Sequence, residues 1–149
     1  MNYTQFFIAL LFPALVLTGC GKAPNPFGAV YVEGTVTYDG TPIEGVSVTF
    51  IPQGGDLAAG GMTDSSGKFT LTIGGATLGS GAKPGRYDVT FTKVELPEMR
   101  PLGEGPFAMP VPTYLIPQKY ENPRASGIAS VTVDSDKSKN KFSFELSSQ

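Results

Sequence analysis

Cys20 is the only cysteine in the 149-residue chain, and it stands directly after an apolar run, so it is the first residue to ask for chemistry. A lone thiol cannot close an intramolecular disulfide; what it offers is a nucleophile, an acceptor for a covalent group. Other chemistry-bearing residues are sparse. Histidine is absent, which removes the usual general base near neutral pH and the commonest metal ligand. Ser-His-Asp and Cys-His nucleophile systems and His-Glu zinc sites are excluded with it. Among the carboxylates, Glu95 and Glu98 lie in a proline-rich stretch with nothing to fix their separation. Asp64, in Thr63-Asp64-Ser65-Ser66-Gly67, has only Asp56 as its next carboxylate neighbour. Calcium takes about six to eight oxygens, several of them from carboxylates. Asp64 therefore reads as a hairpin-turn residue whose side chain accepts backbone N–H groups. No catalytic, metal-ligating or cofactor-binding set emerges.

The run before the cysteine, Phe6 to Leu17, reads FFIALLFPALVL, twelve residues without a charge. That length suits the apolar region of a signal peptide, about 7–15 residues, and falls short of the roughly 20 needed to cross a bilayer. Pro13 also disfavours an unbroken helix. Next comes Leu17-Thr18-Gly19-Cys20, which resembles the bacterial lipobox, an aliphatic residue and two small ones before an invariant cysteine. The resemblance implies diacylglyceryl attachment at Cys20, cleavage between Gly19 and Cys20, export, and anchoring to a bacterial membrane. Two acyl chains, at ~0.8 kcal/mol per buried CH₂, make a stable anchor where one alone is marginal. Two other readings stay open: an inert thiol after an ordinary signal peptide, and an apolar run that is a buried strand or helix. The opening MNYTQ departs from the signal pattern, since it holds neither lysine nor arginine. The expected organisation is a leader over 1–19, a lipidated stalk over 20–28 and a folded domain over 29–149. Extended, Gly21 to Pro26 reaches only about 20–25 Å, which keeps the domain close to the membrane.

The elements that would position any site are read from a period of two. In VYVEGTVTY, Val30, Val32, Gly34, Val36 and Tyr38 face one way, and Tyr31, Glu33, Thr35 and Thr37 the other. GVSVTFI repeats the pattern with Val46, Val48 and Phe50, and KFTLTI with Phe69, Leu71 and Ile73. RYDVTFTK sets Tyr87, Val89 and Phe91 against Asp88, Thr90 and Thr92. SVTVD and KFSFEL place Val131, Val133, Phe142, Phe144 and Leu146 inward. The glycine-rich Ala58 to Thr63 reads as a weaker edge strand. Asp39-Gly40, Ser65-Ser66-Gly67 and Lys83-Pro84-Gly85 supply turns. With 19 glycines, 13 prolines and no helical period, the reading is all-β: an antiparallel sandwich of seven strands.

VEGTVTYDGTPIEGVSVTFIP, GGMTDSSGKFTL and GAKPGRYDVTFTK, in that order between Val30 and Lys93, resemble the carboxypeptidase regulatory-like domain. The resemblance implies a transthyretin-like, Greek-key sandwich of seven strands. IPQKYENPRASGIASVTV and NKFSFEL look like the ending of small single-domain lipoproteins of planctomycete-type bacteria. Neither resemblance implies a shared ligand, and the zinc chemistry of metallocarboxypeptidases belongs to a domain other than the sandwich.

Lysine plus arginine number 11 against 13 acidic residues, a net charge of −2 that argues against a nucleic-acid partner. DSDKSKNK, 134–141, carries three lysines at alternate positions with two aspartates beside them, and reads as a solvated hairpin loop between the last two strands. The connection from Leu96 to Gly127 holds seven prolines together with Phe107, Tyr114 and Tyr120. Such length is seldom kept without a reason. Either Val111 to Ile116 forms an irregular edge strand and the rings cap an open end of the core, or Tyr114, Lys119 and Tyr120 form a binding surface. The functional expectation is a lipid-anchored, non-catalytic envelope module that binds or scaffolds proteins or glycans, with the membrane as partner through Cys20. A purely structural surface lipoprotein is the alternative, and a hydrolase working with carboxylates alone the third reading.

Overall fold

The computed structural model describes residues 27–96 and 111–149. Its strands are β1 (Glu33–Tyr38), β2 (Thr41–Pro42), β3 (Ser47–Pro52), β4 (Ala59–Met62), β5 (Lys68–Thr70), β6 (Thr72–Ile73), β7 (Gly85–Thr92), β8 (Val94–Glu95), β9 (Thr113–Tyr114), β10 (Val131–Val133) and β11 (Lys141–Leu146). Single 3₁₀ turns at Gln118–Glu121 and Lys137–Lys139 complete the described elements. The seven runs expected from the alternation correspond to β1, β3, β4, β5 with β6, β7, β10 and β11.

Two sheets face each other across the core. One has β1 at its centre, with β11 on one side and β2 and β5 sharing the other; the second runs β10-β7-β3-β4-β6. A two-stranded ribbon, β8 with β9, stands apart. Pairing is antiparallel throughout with one exception, a correction to the expected antiparallel sandwich. The first and last long strands, β1 and β11, run parallel, with Glu33 opposite Lys141 and Tyr38 opposite Leu146. The chain turns from β1 into β2 through Asp39 and Gly40, whose φ values of 49° and 77° are those of a tight two-residue hairpin. Glycine is the residue that adopts the second of these without strain.

The alternation is realised in burial. Val32 and Val36, Val46, Val48 and Phe50, Phe69, Leu71 and Ile73, Tyr87, Val89 and Phe91, and Phe144 and Leu146 all lie in one core. Phe50 is its hub: its ring centroid lies 6.3 Å from Phe69, 5.9 Å from Tyr87, 5.6 Å from Phe142 and 6.2 Å from Phe144. Gly34 makes this packing possible. A Cβ there would sit 2.5 Å from the Phe69 ring and 2.6 Å from the Phe142 carbonyl oxygen.

Three expectations are corrected by the pairing. KFTLTI is not one strand of one sheet: β5 pairs β1 and β6 pairs β4, so the run passes from sheet to sheet at the fully buried Leu71. β4 is not an edge, because β6 covers its outer side at Ala59 and Gly60. The segment 134–141 is not a hairpin, because β10 pairs β7 in one sheet while β11 pairs β1 in the other. What fixes that crossing is Asn140, wholly buried. Its Oδ1 accepts the Asp134 N–H at 2.8 Å, and its Nδ2 donates to the Asp134 carbonyl at 2.8 Å and the Tyr31 carbonyl at 3.4 Å. A buried amide must be satisfied in this way or it costs stability.

Candidate functional site

The strands β5, β1 and β11 lie side by side, and their register aligns outward residues into two cross-strand rows. Thr70, Glu33 and Lys141 form one; Lys68, Thr35 and Ser143 form the next. The inward partners of these residues, Phe69 and Phe144 among them, are committed to the core, so the polar members have only the outer face available. Tyr31 lies just before β1 and Met62 at the end of β4, and both are exposed. Together they border an open groove of about 800 Å³ on this face.

Its electrostatics are internally matched. Lys141 Nζ lies 3.0 Å from Glu33 Oε1, and the Tyr31 hydroxyl donates to Glu33 Oε2 at 3.0 Å. The Lys141 ammonium first, and then the Tyr31 hydroxyl, hold the Glu33 carboxyl below its usual range. Burial, followed by the neighbouring Glu33 carboxylate, pushes the Tyr31 hydroxyl up. Thr35 Oγ1 donates to Ser143 Oγ at 3.3 Å. At the groove's end, Asp64 Oδ1 accepts the Ser66 hydroxyl at 2.7 Å, the Ser66 N–H at 2.8 Å and the Lys68 N–H at 3.0 Å. The Ser66 hydroxyl is the main cause of the Asp64 carboxyl's lowered pKa. Asp64 thus does the work of a turn residue, as its sequence context suggests. Both groove carboxylates are stabilised as anions, whereas a general acid needs one held protonated. The groove presents hydroxyl, carboxylate and ammonium groups that can hydrogen-bond a ligand.

The residues singled out in the sequence fall elsewhere. Tyr120 is buried, its ring edge-on to Phe91 at 6.5 Å between centroids. Lys119 is half-buried, with its ammonium 5.1 Å from the centre of the Tyr120 ring and bonded to the Gln149 carbonyl. Tyr114 is exposed, in β9 opposite Val94 of β8. The Tyr114 ring is exposed and the Tyr120 ring is buried, so the two rings do not share one accessible surface. Glu95 is exposed in β8, opposite Thr113, and Glu98 lies outside the described residues. Cys20, Gly19 and the rest of the expected leader and stalk up to Pro26 also lie outside them. Among the described residues, no three of histidine, cysteine, aspartate and glutamate gather as a metal site would require, and no helix is long and apolar enough to cross a membrane.

The groove itself was only half visible in the sequence. Alternation places Tyr31, Glu33 and Thr35 on an outward face, but Lys68, Thr70, Lys141 and Ser143 join them only once the pairing is known. No family model, curated protein or solved structure matches the chain. The functional reading therefore rests on the groove and on the sequence.

Proposed function

We propose that this chain is a lipid-anchored, non-catalytic binding module of the bacterial envelope, carried on a transthyretin-like Greek-key sandwich and held to the membrane through Cys20. Its recognition face is the outer groove of β5, β1 and β11, and its ligand class is a glycan. One observation carries this reading: four hydroxyl side chains, Tyr31, Thr35, Thr70 and Ser143, border one open groove beside the charged Glu33, Lys68 and Lys141. A sugar offers the complementary set, many hydroxyl donors and acceptors around an apolar ring face that can lie on Tyr31 or Met62. Orientation by a few placed polar groups against apolar surface is how pockets select small ligands.

The test is a glycan array probed with the full-length chain, compared with Tyr31→Ala and Lys68→Ala. Retention of a defined glycan by the wild type, weakened roughly tenfold or more by either change, supports the module. Both variants should keep the wild-type melting temperature, since both side chains project from the outer face. The purely structural reading draws on the Glu33–Lys141 pair, which already satisfies its own charges. An array without a retained glycan favours that reading.

A further inference from the structure

Among the described residues, β11 has a strand partner on one side only. Along that side the parallel ladder engages every second residue: the Glu33 N–H donates to the Asn140 carbonyl at 3.1 Å, and the Asp39 N–H to the Leu146 carbonyl at 2.9 Å. Phe142 and Phe144, in phase with these, also turn their backbone groups toward β1. Lys141, Ser143 and Glu145 turn theirs away, and no described strand pairs with them. A bare edge of this kind is a template for another strand.

What distinguishes this edge is that its sequence complements itself. Laid antiparallel to a second β11 and centred on Ser143, Lys141 meets Glu145 of the second copy, Ser143 meets Ser143, and Glu145 meets Lys141. The backbone groups of all three point away from β1 toward the edge, so each pair exchanges both of its backbone hydrogen bonds. Opposite charges directly across such a ladder stabilise it, and like charges oppose it. On the inner face the same register sets Phe142 against Phe144 of the second copy. Phe142 is only half-buried and already lies 6.3 Å from its own Phe144, so the new contact would complete its burial. The Lys141 ammonium has three donors and can serve Glu33 and the second copy together. The end strands of the other sheet, β10 with Val131-Thr132-Val133 and β6 with Thr72-Ile73, carry no charge.

We propose that two copies of this chain pair through β11 about a two-fold axis at Ser143. The contact is isologous, the same patch on both subunits. The sheet then continues from one copy into the next, and the two outer grooves lie on one continuous face.

The experiment is sedimentation of the full-length chain in detergent over a range of concentrations, with three variants. The wild type should show a concentration-dependent dimer. Ser143→Pro removes the central outward N–H while leaving the ladder to β1 intact, and should raise the dissociation constant roughly tenfold or more. Glu145→Lys sets lysine against lysine at both ends of the strand, and Lys141→Glu sets glutamate against glutamate; each should dimerise as poorly. Mixed in equal amounts, these two charge variants should recover the association, because every cross-strand pair is then again opposite in sign. This recovery keeps the idea testable even if Ser143→Pro disturbs folding. A wild type that stays monomeric, as it would if another chain or another segment of this one fills the edge, overturns the proposal. So does a dimer indifferent to all three variants, or a mixture that fails to recover.

Discussion

The Tyr120 hydroxyl closes a two-way bond with the backbone of Ser147, accepting its N–H at 2.8 Å and donating to its carbonyl at 3.3 Å. A residue in the long proline-rich connection thereby fastens the chain just beyond β11, while its ring packs on Phe91. Tyr120→Ala should lower unfolding free energy by about 3–5 kcal/mol, the usual loss for a buried aromatic. Tyr114→Ala, at an exposed ring, should stay within about 1 kcal/mol. Denaturant titration of both variants checks the contrast, and equal losses would contradict the assignment of one ring to the core and the other to the surface.

Phe50 tests the inner face in the same way. Its ring meets four other aromatic rings, so Phe50→Ala should cost about 3–5 kcal/mol. Thr49, half-buried beside it on the outer side of the same strand, should tolerate alanine within about 1 kcal/mol. Comparable destabilisation at both positions, read from urea midpoints, would mean that the register of β3 is wrong.

Alternation reads a face reliably because successive side chains in a strand point opposite ways, and Val48, Phe50, Val89 and Phe91 are buried as that rule requires. It carries no information about which strand lies alongside. Thr90 shows the limit: it alternates as an outward residue of β7, yet it is only 8% exposed. It lies opposite Thr49 of β3, while β10 reaches only Gly85 to Tyr87 of its strand, so alternation does not tell what covers it. KFTLTI shows another. Its pattern is continuous through Leu71, and only the hydrogen bonds reveal that β5 and β6 serve different sheets. The candidate site depends on such information entirely, since its rows join residues more than a hundred positions apart. Within the long connection, composition announced aromatic rings, but burial alone distinguishes Tyr120 from Tyr114.

Acid should weaken the fold through its hydrogen-bonded carboxylates. Asp64 is held below the usual range chiefly by the Ser66 hydroxyl, Asp88 by the hydroxyl of Ser130 and then the amide of Gln53, and Asp136 by the Ser138 hydroxyl. Each folded-state pKa lies below its unfolded value, so the unfolded chain takes up protons first. The stabilisation is complete above the unfolded pKa, about 3.9 for aspartate, and is lost as pH falls through the folded-state values. Asp64→Asn should therefore melt below the wild type at neutral pH, with the gap narrowing as the solution is taken below about pH 4. Melting curves across that range would count against the assignment if the gap widened in acid.

Anchoring has a direct chemical readout. Intact mass of the membrane-associated chain should correspond to a polypeptide that begins at Cys20 and carries diacylglycerol. Cys20→Ser should abolish the lipid mass and leave either an unprocessed precursor or a chain released from the membrane. An unmodified amino terminus at another residue would sink the lipobox reading.

The parallel contact between β1 and β11 joins residues such as Thr35 and Ser143, 108 positions apart. A ribosome delivers β1 long before β11. Until β11 is made, one side of β1 lacks its neighbour and Phe50 lacks the rings of Phe142 and Phe144. Closing so long a loop is entropically late and slow compared with forming the local hairpins. The sandwich is consequently a clasp that shuts only when β11 arrives. A chain cut short before Lys141 keeps most of its alternating pattern and has nothing to fasten it.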